Sequence, residues 1–65
     1  MPNFNEAQHA TAHDFSELVD SRVEEQYGLQ DGGDLCYNLI EQGVIDMSKG
    51  ADEAARIVAM HMVQA

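Results

Sequence analysis

Two histidines near the N-terminus have a spacing that could hold a metal ion. His9 and His13 lie four residues apart in the stretch EAQHATAHDFSEL, so a helix would place them on one face. Two imidazoles at that spacing can bind zinc, and Glu6 or Glu17 could add an oxygen ligand. The residues between the histidines are Ala-Thr-Ala, so the HExxH motif of zinc enzymes is absent. We therefore interpret the pair as part of a solvent-exposed polar face, keep weak metal binding as an alternative, and assign no metal and no cofactor.

A dense run of carboxylates is the second pattern with chemical meaning. The 65-residue chain has 12 Asp and Glu against three Lys and Arg, a formal net charge of −9. That charge exceeds the magnitude of about 2 to 8 that serves the solubility of a small domain, and its self-repulsion destabilises a compact fold. Between residues 14 and 34, Arg22 is the only Lys or Arg. The acidic residues of that range are Asp14, Glu17, Asp20, Glu24, Glu25, Asp31 and Asp34.

These seven carboxylates are candidates for a partner-binding surface. On a helix, steps of three or four residues separate charges by roughly 4.5 to 6 Å along the axis. That separation is comparable to the distances between phosphates on a nucleic-acid strand, whose axial rise is ~3.4 Å per nucleotide. Such a row could therefore occupy a Lys/Arg surface that is built for DNA or RNA. The alternative is that the acidic residues only keep a small protein soluble.

The charge balance and the absence of long apolar runs exclude other classes of function. Direct binding to DNA, RNA or an anionic membrane needs cationic patches, which this sequence lacks. No apolar run approaches the ~20 residues of a transmembrane helix, and the N-terminus lacks the basic start and apolar core of a signal peptide. The single cysteine, Cys36, cannot form an internal disulfide. We therefore expect a soluble protein of the cytoplasm.

Catalysis has little support in the sequence, and we predict that the protein is not an enzyme. No Ser, His and Asp arrangement suggests a nucleophile, and the segment QDGGD carries acid where a phosphate-binding loop needs free N–H groups. Cys36 falls on an apolar helix face in an acidic chain, which favours a buried thiol over a reactive thiolate. His61 falls on the inward stripe of the last predicted helix, where we expect it to be partly buried.

Glycines divide the chain into three predicted helices of a single domain, residues 1–65. The first helix ends at Gly28 and is either one long helix or two helices with a kink near Thr11. Its predicted apolar stripe consists of Phe15, Leu18, Val19, Val23 and Tyr27.

The second and third helices have recognisable ends. Asp34 is the predicted N-cap of the second helix, and Gly43 followed by Val44 predicts a Schellman ending in which Val44 folds back on Leu39. Asp52 and Glu53 place negative charge in the first turn of the third helix. The predicted inward stripe of that helix is Ala54, Ile57, Val58, His61, Met62 and Ala65, and Met60 and Val63 lie off it.

The preferred fold is therefore an all-α domain of about three helices. The alternative is an α+β domain in which the N-terminal segment or GVIDM forms one or two short strands.

In size, acidity and lack of a catalytic motif, the chain resembles small phage-encoded anti-defence proteins, particularly the DNA-mimicking anti-CRISPR inhibitors. The resemblance is one of composition. It implies a non-catalytic inhibitor, acting in the cytoplasm of the host cell, that occupies the site where a CRISPR effector accepts target DNA or its PAM. The seven carboxylates would then be the phosphate substitutes, and the partner would be a basic nucleic-acid-binding protein.

A helical regulatory or antitoxin-like subunit is the rival hypothesis. It would bind through apolar contacts of Met60, Val63 and Ile57, and the third helix could also form a homodimer. Salt separates the two hypotheses, because an electrostatic mimic loses affinity steeply as salt rises and an apolar interface does not.

Overall fold

The computed structural model describes residues 6–64, with side chains from residue 10 onward. Three α-helices follow one another: α1 (Glu6–Tyr27), α2 (Gly32–Glu41) and α3 (Ala51–Gln64), with a short 3₁₀ helix, Met47–Lys49, before α3. Within residues 6–64 there is no strand, so the all-α prediction is confirmed and the α+β alternative is wrong. The segment GVIDM is a turn that enters the 3₁₀ helix, because its backbone follows the end of α2 rather than pairing with another segment.

Helix α1 is continuous through Thr11, and it supplies one stripe of the core. It ends where Gly28 takes a φ of +70°, a left-handed conformation that costs a glycine nothing. The fully buried apolar residues of α1 are Ala12, Val19 and Val23.

Two members of the predicted stripe of α1 have exposed side chains. Leu18 is 47% exposed and Tyr27 is 44% exposed, so their assignment to the core was wrong. The buried residues recur at intervals of four and seven, which defines a narrow stripe. Leu18 is one position from Val19 and therefore lies about 100° away around the helix, outside that stripe.

Helix α2 begins at Gly32, and the prediction that Asp34 caps it was wrong. Asp34 lies in the first turn instead, where its charge favours the helix dipole. Asp31 occupies the N-cap position with a φ of 65° and makes no side-chain capping bond. The cap comes from α1, because the Asp20 carboxylate accepts a hydrogen bond of 3.1 Å from the Gly32 N–H. A residue 12 positions away thus performs the role that local sequence assigned to Asp34.

The end of α2 confirms the predicted Schellman motif in its backbone. Gly43 has a φ of +81°, its N–H donates to the Ile40 carbonyl at 3.0 Å, and the Val44 N–H donates to the Leu39 carbonyl at 2.9 Å. The residue after the turn that is buried in the core is Ile45, whereas Val44 is 48% exposed.

Helix α3 closes the core with small side chains. Its buried residues are Ala54, Ala55, Val58 and Ala59, and Asp52 and Glu53 occupy the first turn as predicted. Alanines at these positions allow the helix backbones to approach closely. His61 is exposed, so its predicted burial was wrong. Ala65 lies outside the described residues. Among the described helices, none has the length and apolarity needed to cross a membrane.

Candidate partner-binding surface

The two Arg side chains both pair with carboxylates of α3, and Lys49 acts more weakly on a carboxylate of the turn before it. Arg22 of α1 pairs with Asp52, and Arg56 lies 3.7 Å from Glu53. The pKa of Asp46 is lowered, chiefly by hydrogen bonds from Ser48 and with a smaller contribution from the charge of Lys49. The two ion pairs of the Arg side chains therefore both use carboxylates of α3.

The seven predicted partner-binding carboxylates are left without such compensation. In the part of the chain that the structure describes, none of them forms a salt bridge with Lys or Arg. Glu17 lies 3.9 Å from the His13 imidazole, which is a charge pair only when the histidine is protonated. Asp20 is partly buried. The six exposed carboxylates are Asp14, Glu17, Glu24, Glu25, Asp31 and Asp34.

Four of the seven carboxylates line one opening between α1 and α2, which we call the acidic cleft. They are Glu17 and Asp20 from α1, and Asp31 and Asp34 from the turn and first turn of α2. The cleft has a volume of about 300 Å³, and its other lining residues are His13, Ser16, Gly33 and Tyr37.

The remaining three carboxylates lie outside the acidic cleft. Glu24 follows Asp20 by four residues and so continues the same stripe of α1. Asp14 and Glu25 are one position from His13 and Glu24, about 100° further around the helix. The structure thus divides the predicted row into a cleft and a flanking surface.

Helix α2 packs against α1 at Gly33, beside the acidic cleft. A Cβ at Gly33 would lie 3.4 Å from the Asp20 Cβ and 3.6 Å from the Ser16 carbonyl oxygen. The bond from the Gly32 N–H to Asp20 fixes the same approach. Asp20 therefore has a structural role as well as lining the cleft.

Ser16 is the lining residue that the sequence analysis missed. It is only 4% exposed, and its hydroxyl lies next to the buried Cys36 thiol. Burial raises the pKa of the neighbouring Cys36 thiol, and interaction with the Ser16 hydroxyl opposes that shift. The predicted buried thiol is confirmed. A polar residue four positions after Ala12 and three before Val19, inside the core stripe, was the available signal.

The structure describes only part of the predicted histidine site. The side chains of Glu6 and His9 lie outside the described residues, so the predicted pair is not tested. His13 instead shares a group with Asp14 and Glu17, whose ligand atoms all lie within 4.8 Å of one another. All three side chains are exposed on one helix. Exposed acidic groups at helical spacing meet this criterion commonly, so we assign no metal to them.

A second opening, which we call the apolar groove, lies between the C-terminal end of α1 and helix α3. It has a volume of about 280 Å³, and its lining residues are Tyr27, Leu29, Arg56, Ala59, Met60 and Val63. Val63 is 70% exposed, and Met60 is also exposed. Ile57 does not line the groove, because it packs against the core. The predicted apolar interface is thus reduced to Met60 and Val63.

Comparison with known protein families, with curated proteins and with solved structures returned no match for this chain.

Proposed function

We propose that the protein is a non-catalytic inhibitor whose acidic surface occupies the nucleic-acid-binding surface of a larger, basic protein. The observation that carries this proposal is the separation of charge. Arg22 and Arg56 both pair with carboxylates of α3, and among the described residues none of the seven carboxylates on α1 and at the start of α2 forms a salt bridge with Lys or Arg.

This separation of charge destabilises the fold, and keeping the protein soluble does not require it. Uncompensated like charges repel one another and destabilise a compact state. A small domain buries only about 60% of the surface of its unfolded chain and has little stability to lose. Interspersed charges of both signs would keep the protein soluble without that repulsion. A surface that binds a Lys/Arg patch benefits from closely spaced negative charges, because they speed association and their binding releases counterions.

A CRISPR effector is one class of partner with such a patch. It holds nucleic acid in a positively charged channel and reads the PAM with basic side chains. The carboxylates of α1 are spaced like phosphates along a strand, so they would substitute for target DNA in that channel. On this hypothesis the protein acts in the cytoplasm of the cell that contains the effector.

Competition with nucleic acid tests the proposal. The protein is immobilised, and the proteins that bind it from a bacterial lysate at low salt are collected. These proteins, and purified CRISPR effectors, are then each loaded with a labelled DNA duplex and titrated with this protein. We expect displacement of the duplex, with an affinity that falls about a hundredfold or more between about 50 and 200 mM salt. Displacement from none of them, or an affinity indifferent to salt, would overturn the proposal.

A matched pair of variants separates the acidic surface from net charge. Glu17→Gln with Glu24→Gln removes two charges from the acidic surface. Gln42→Lys with Gln64→Lys changes the net charge by the same amount at two exposed positions elsewhere. We expect the first variant to lose about tenfold or more in affinity and the second to stay within about threefold. Equal losses would mean that only the total charge matters.

The apolar groove supports a second candidate function, binding as a helical regulatory or antitoxin-like subunit. Its evidence is the exposure of Met60 and Val63 beside Tyr27 at one opening. If this function is correct, Met60→Ser with Val63→Ser abolishes partner binding while salt has little effect. Self-association through α3 is tested by sedimentation of the same variant, since a dimer that uses this groove becomes a monomer.

A further inference from the structure

We propose that the Asp31–Gly32 peptide is the site at which this chain forms isoaspartate, and that Asp20 protects the site while the protein is folded. Isoaspartate is a covalent modification that aspartate undergoes without an enzyme, through attack of the next backbone nitrogen on the side chain. The inference concerns the chemistry of the chain itself and does not depend on the proposed function.

The modification requires an aspartate whose following residue does not hinder a ring closure, and glycine hinders it least because it has no side chain. Asp31 precedes Gly32, and no other Asp or Asn in the 65 residues precedes a glycine. The sequence therefore places the most reactive aspartyl bond at the start of α2.

The reaction has two steps that balance with water alone. The Gly32 nitrogen forms a bond to Cγ of the protonated Asp31 carboxyl, the nitrogen loses its proton, and a molecule of water leaves, which yields a cyclic succinimide. A solvent water molecule then adds to one of the two ring carbonyls. Opening at the side-chain carbonyl restores aspartate, and opening at the main-chain carbonyl leaves isoaspartate, in which the main chain runs through Cβ.

The Asp31 carboxyl is available for this reaction. Asp31 is exposed, and although it occupies the N-cap position of α2 its side chain makes no capping hydrogen bond. Solvent therefore reaches the side chain, both to protonate it and to open the ring.

The folded backbone nevertheless holds the two reacting atoms apart. Ring closure requires the Gly32 nitrogen to lie beside the Asp31 Cβ when the residue is viewed along its Cα–C bond. At the observed ψ of 31°, the Gly32 nitrogen lies nearer to the Asp31 nitrogen in that view. The peptide between the two residues must therefore rotate through a large angle before the new bond can form.

The surroundings of Gly32 oppose that rotation. The Gly32 N–H donates a hydrogen bond of 3.1 Å to the Asp20 carboxylate, whose negative charge also disfavours loss of the proton from the attacking nitrogen. Gly32 is buried, and a Cβ at this position would lie only 3.1 Å from the Val58 Cγ1. The ring therefore forms from a state in which the start of α2 has opened and the bond to Asp20 is broken.

Ageing of two variants of equal charge tests the inference. Wild type, Asp20→Ala and Glu24→Ala are incubated at neutral pH and digested, and mass spectrometry with electron-transfer fragmentation locates isoaspartate. We expect it at residue 31, about fivefold faster in Asp20→Ala than in wild type, because loss of the hydrogen bond raises the population of the open state. Glu24→Ala should stay within about twofold of wild type. Faster formation at another residue, or equal rates in all three proteins, would overturn the inference.

A third variant separates the hydrogen bond from stability in general. Ile45 is buried beyond the far end of α2, and Ile45→Val lowers the stability of the fold by about as much as loss of one hydrogen bond. The contact between Asp20 and Gly32 is retained, so we expect isoaspartate to form within about twofold of the wild-type rate. A rate as high as that of Asp20→Ala would show that global unfolding controls the reaction and that Asp20 has no protective role.

The unfolded chain provides the reference rate. In urea that unfolds the protein, isoaspartate should form at residue 31 at least about tenfold faster than in the folded wild type, and Asp20→Ala should then match wild type. A folded protein that reacts as fast as the unfolded chain would contradict protection by the structure. A variant that still differs from wild type in urea would contradict the assignment of that protection to the folded contact.

Discussion

The acidic cleft and the apolar groove are nearly equal in size and opposite in chemistry. Their volumes are about 300 and 280 Å³. The cleft lies between α1 and α2 and is lined by four carboxylates. The groove lies between α1 and α3 and contains Met60, Val63 and the cation Arg56. Helix α1 thus borders two distinct openings, and the carboxylates are concentrated at the one that it shares with α2.

Two adjacent glycines at the start of α2 face different environments, the apolar core and the acidic cleft. A Cβ on Gly32 would lie 3.1 Å from the Val58 Cγ1 and 3.5 Å from the Met62 sulfur, inside the apolar core. A Cβ on Gly33 would meet Asp20 and the Ser16 carbonyl, at the acidic cleft. One step along the chain therefore separates the tightly packed core from the polar opening.

Alanine substitutions at these glycines should produce the largest difference between the two sides. We expect Gly32→Ala to lower the free energy of unfolding by about 1 to 2 kcal/mol, because the new methyl crowds the fully buried Val58. Gly33→Ala meets only ordinary contacts and should raise it by about 0.5 kcal/mol through better helix propensity. Urea unfolding of both variants measures the difference. Equal effects would mean that the core at Gly32 is not tightly packed.

Asp20 should be the carboxylate of the acidic surface whose loss most affects stability. Asp20→Ala leaves the N–H of the buried Gly32 without its acceptor, and we expect a loss of about 1 kcal/mol. Glu24→Ala, one turn further along α1 and exposed, is the control and should stay within about 0.5 kcal/mol of wild type. Thermal unfolding followed by circular dichroism distinguishes them. A control variant as unstable as Asp20→Ala would contradict the capping role.

Asp31 should show the opposite behaviour, since its backbone is strained. Its φ of 65° is the single positive value at a non-glycine residue among residues 6–64. Asp31→Gly should therefore raise the free energy of unfolding by about 0.5 to 1 kcal/mol. Asp31→Asn, which tolerates the left-handed conformation, is the control and should leave stability nearly unchanged. If Asp31→Gly is not stabilised, the strain is absent.

Salt should have the smallest effect on stability, and it should act through the acidic side. Raising the salt concentration from about 0.01 to 0.15 M shortens the screening length from roughly 30 to 8 Å. We expect this to stabilise the wild type by about 0.5 kcal/mol because it weakens repulsion between the uncompensated carboxylates. Glu17→Gln with Asp34→Asn should reduce the response, and Met60→Ser with Val63→Ser should retain it. A response that is unchanged in the cleft variant would show that the repulsion lies elsewhere.

Local features predicted the helix ends well where a single residue decides them. Gly28 and Gly43 end α1 and α2 because each takes a left-handed φ that other residues adopt at a cost. Asp52 and Glu53 were placed correctly in the first turn of α3 because their effect on the helix dipole is local.

Features that depend on the rotation of one helix against another were predicted poorly. Leu18 and His61 satisfy a helical apolar spacing, yet both are exposed, because several stripes fit the same spacing and packing chooses among them. The start of α2 was placed at Asp34 rather than Gly32 because the true acceptor, Asp20, belongs to another helix. Val44 and Ile45 are both apolar, and only the direction of the chain after the Schellman turn buries Ile45.

The sequence by itself determined the helices, most of their ends and the large excess of carboxylates, because these depend on residue type and on neighbours within a few positions. Only the tertiary structure decided which carboxylates meet. Asp20 and Asp34 lie 14 residues apart in the chain, and they line one cleft because Asp20 of α1 accepts the hydrogen bond from Gly32 at the start of α2. Ser16 is buried for a similar reason, since its hydroxyl on α1 lies next to the Cys36 thiol of α2.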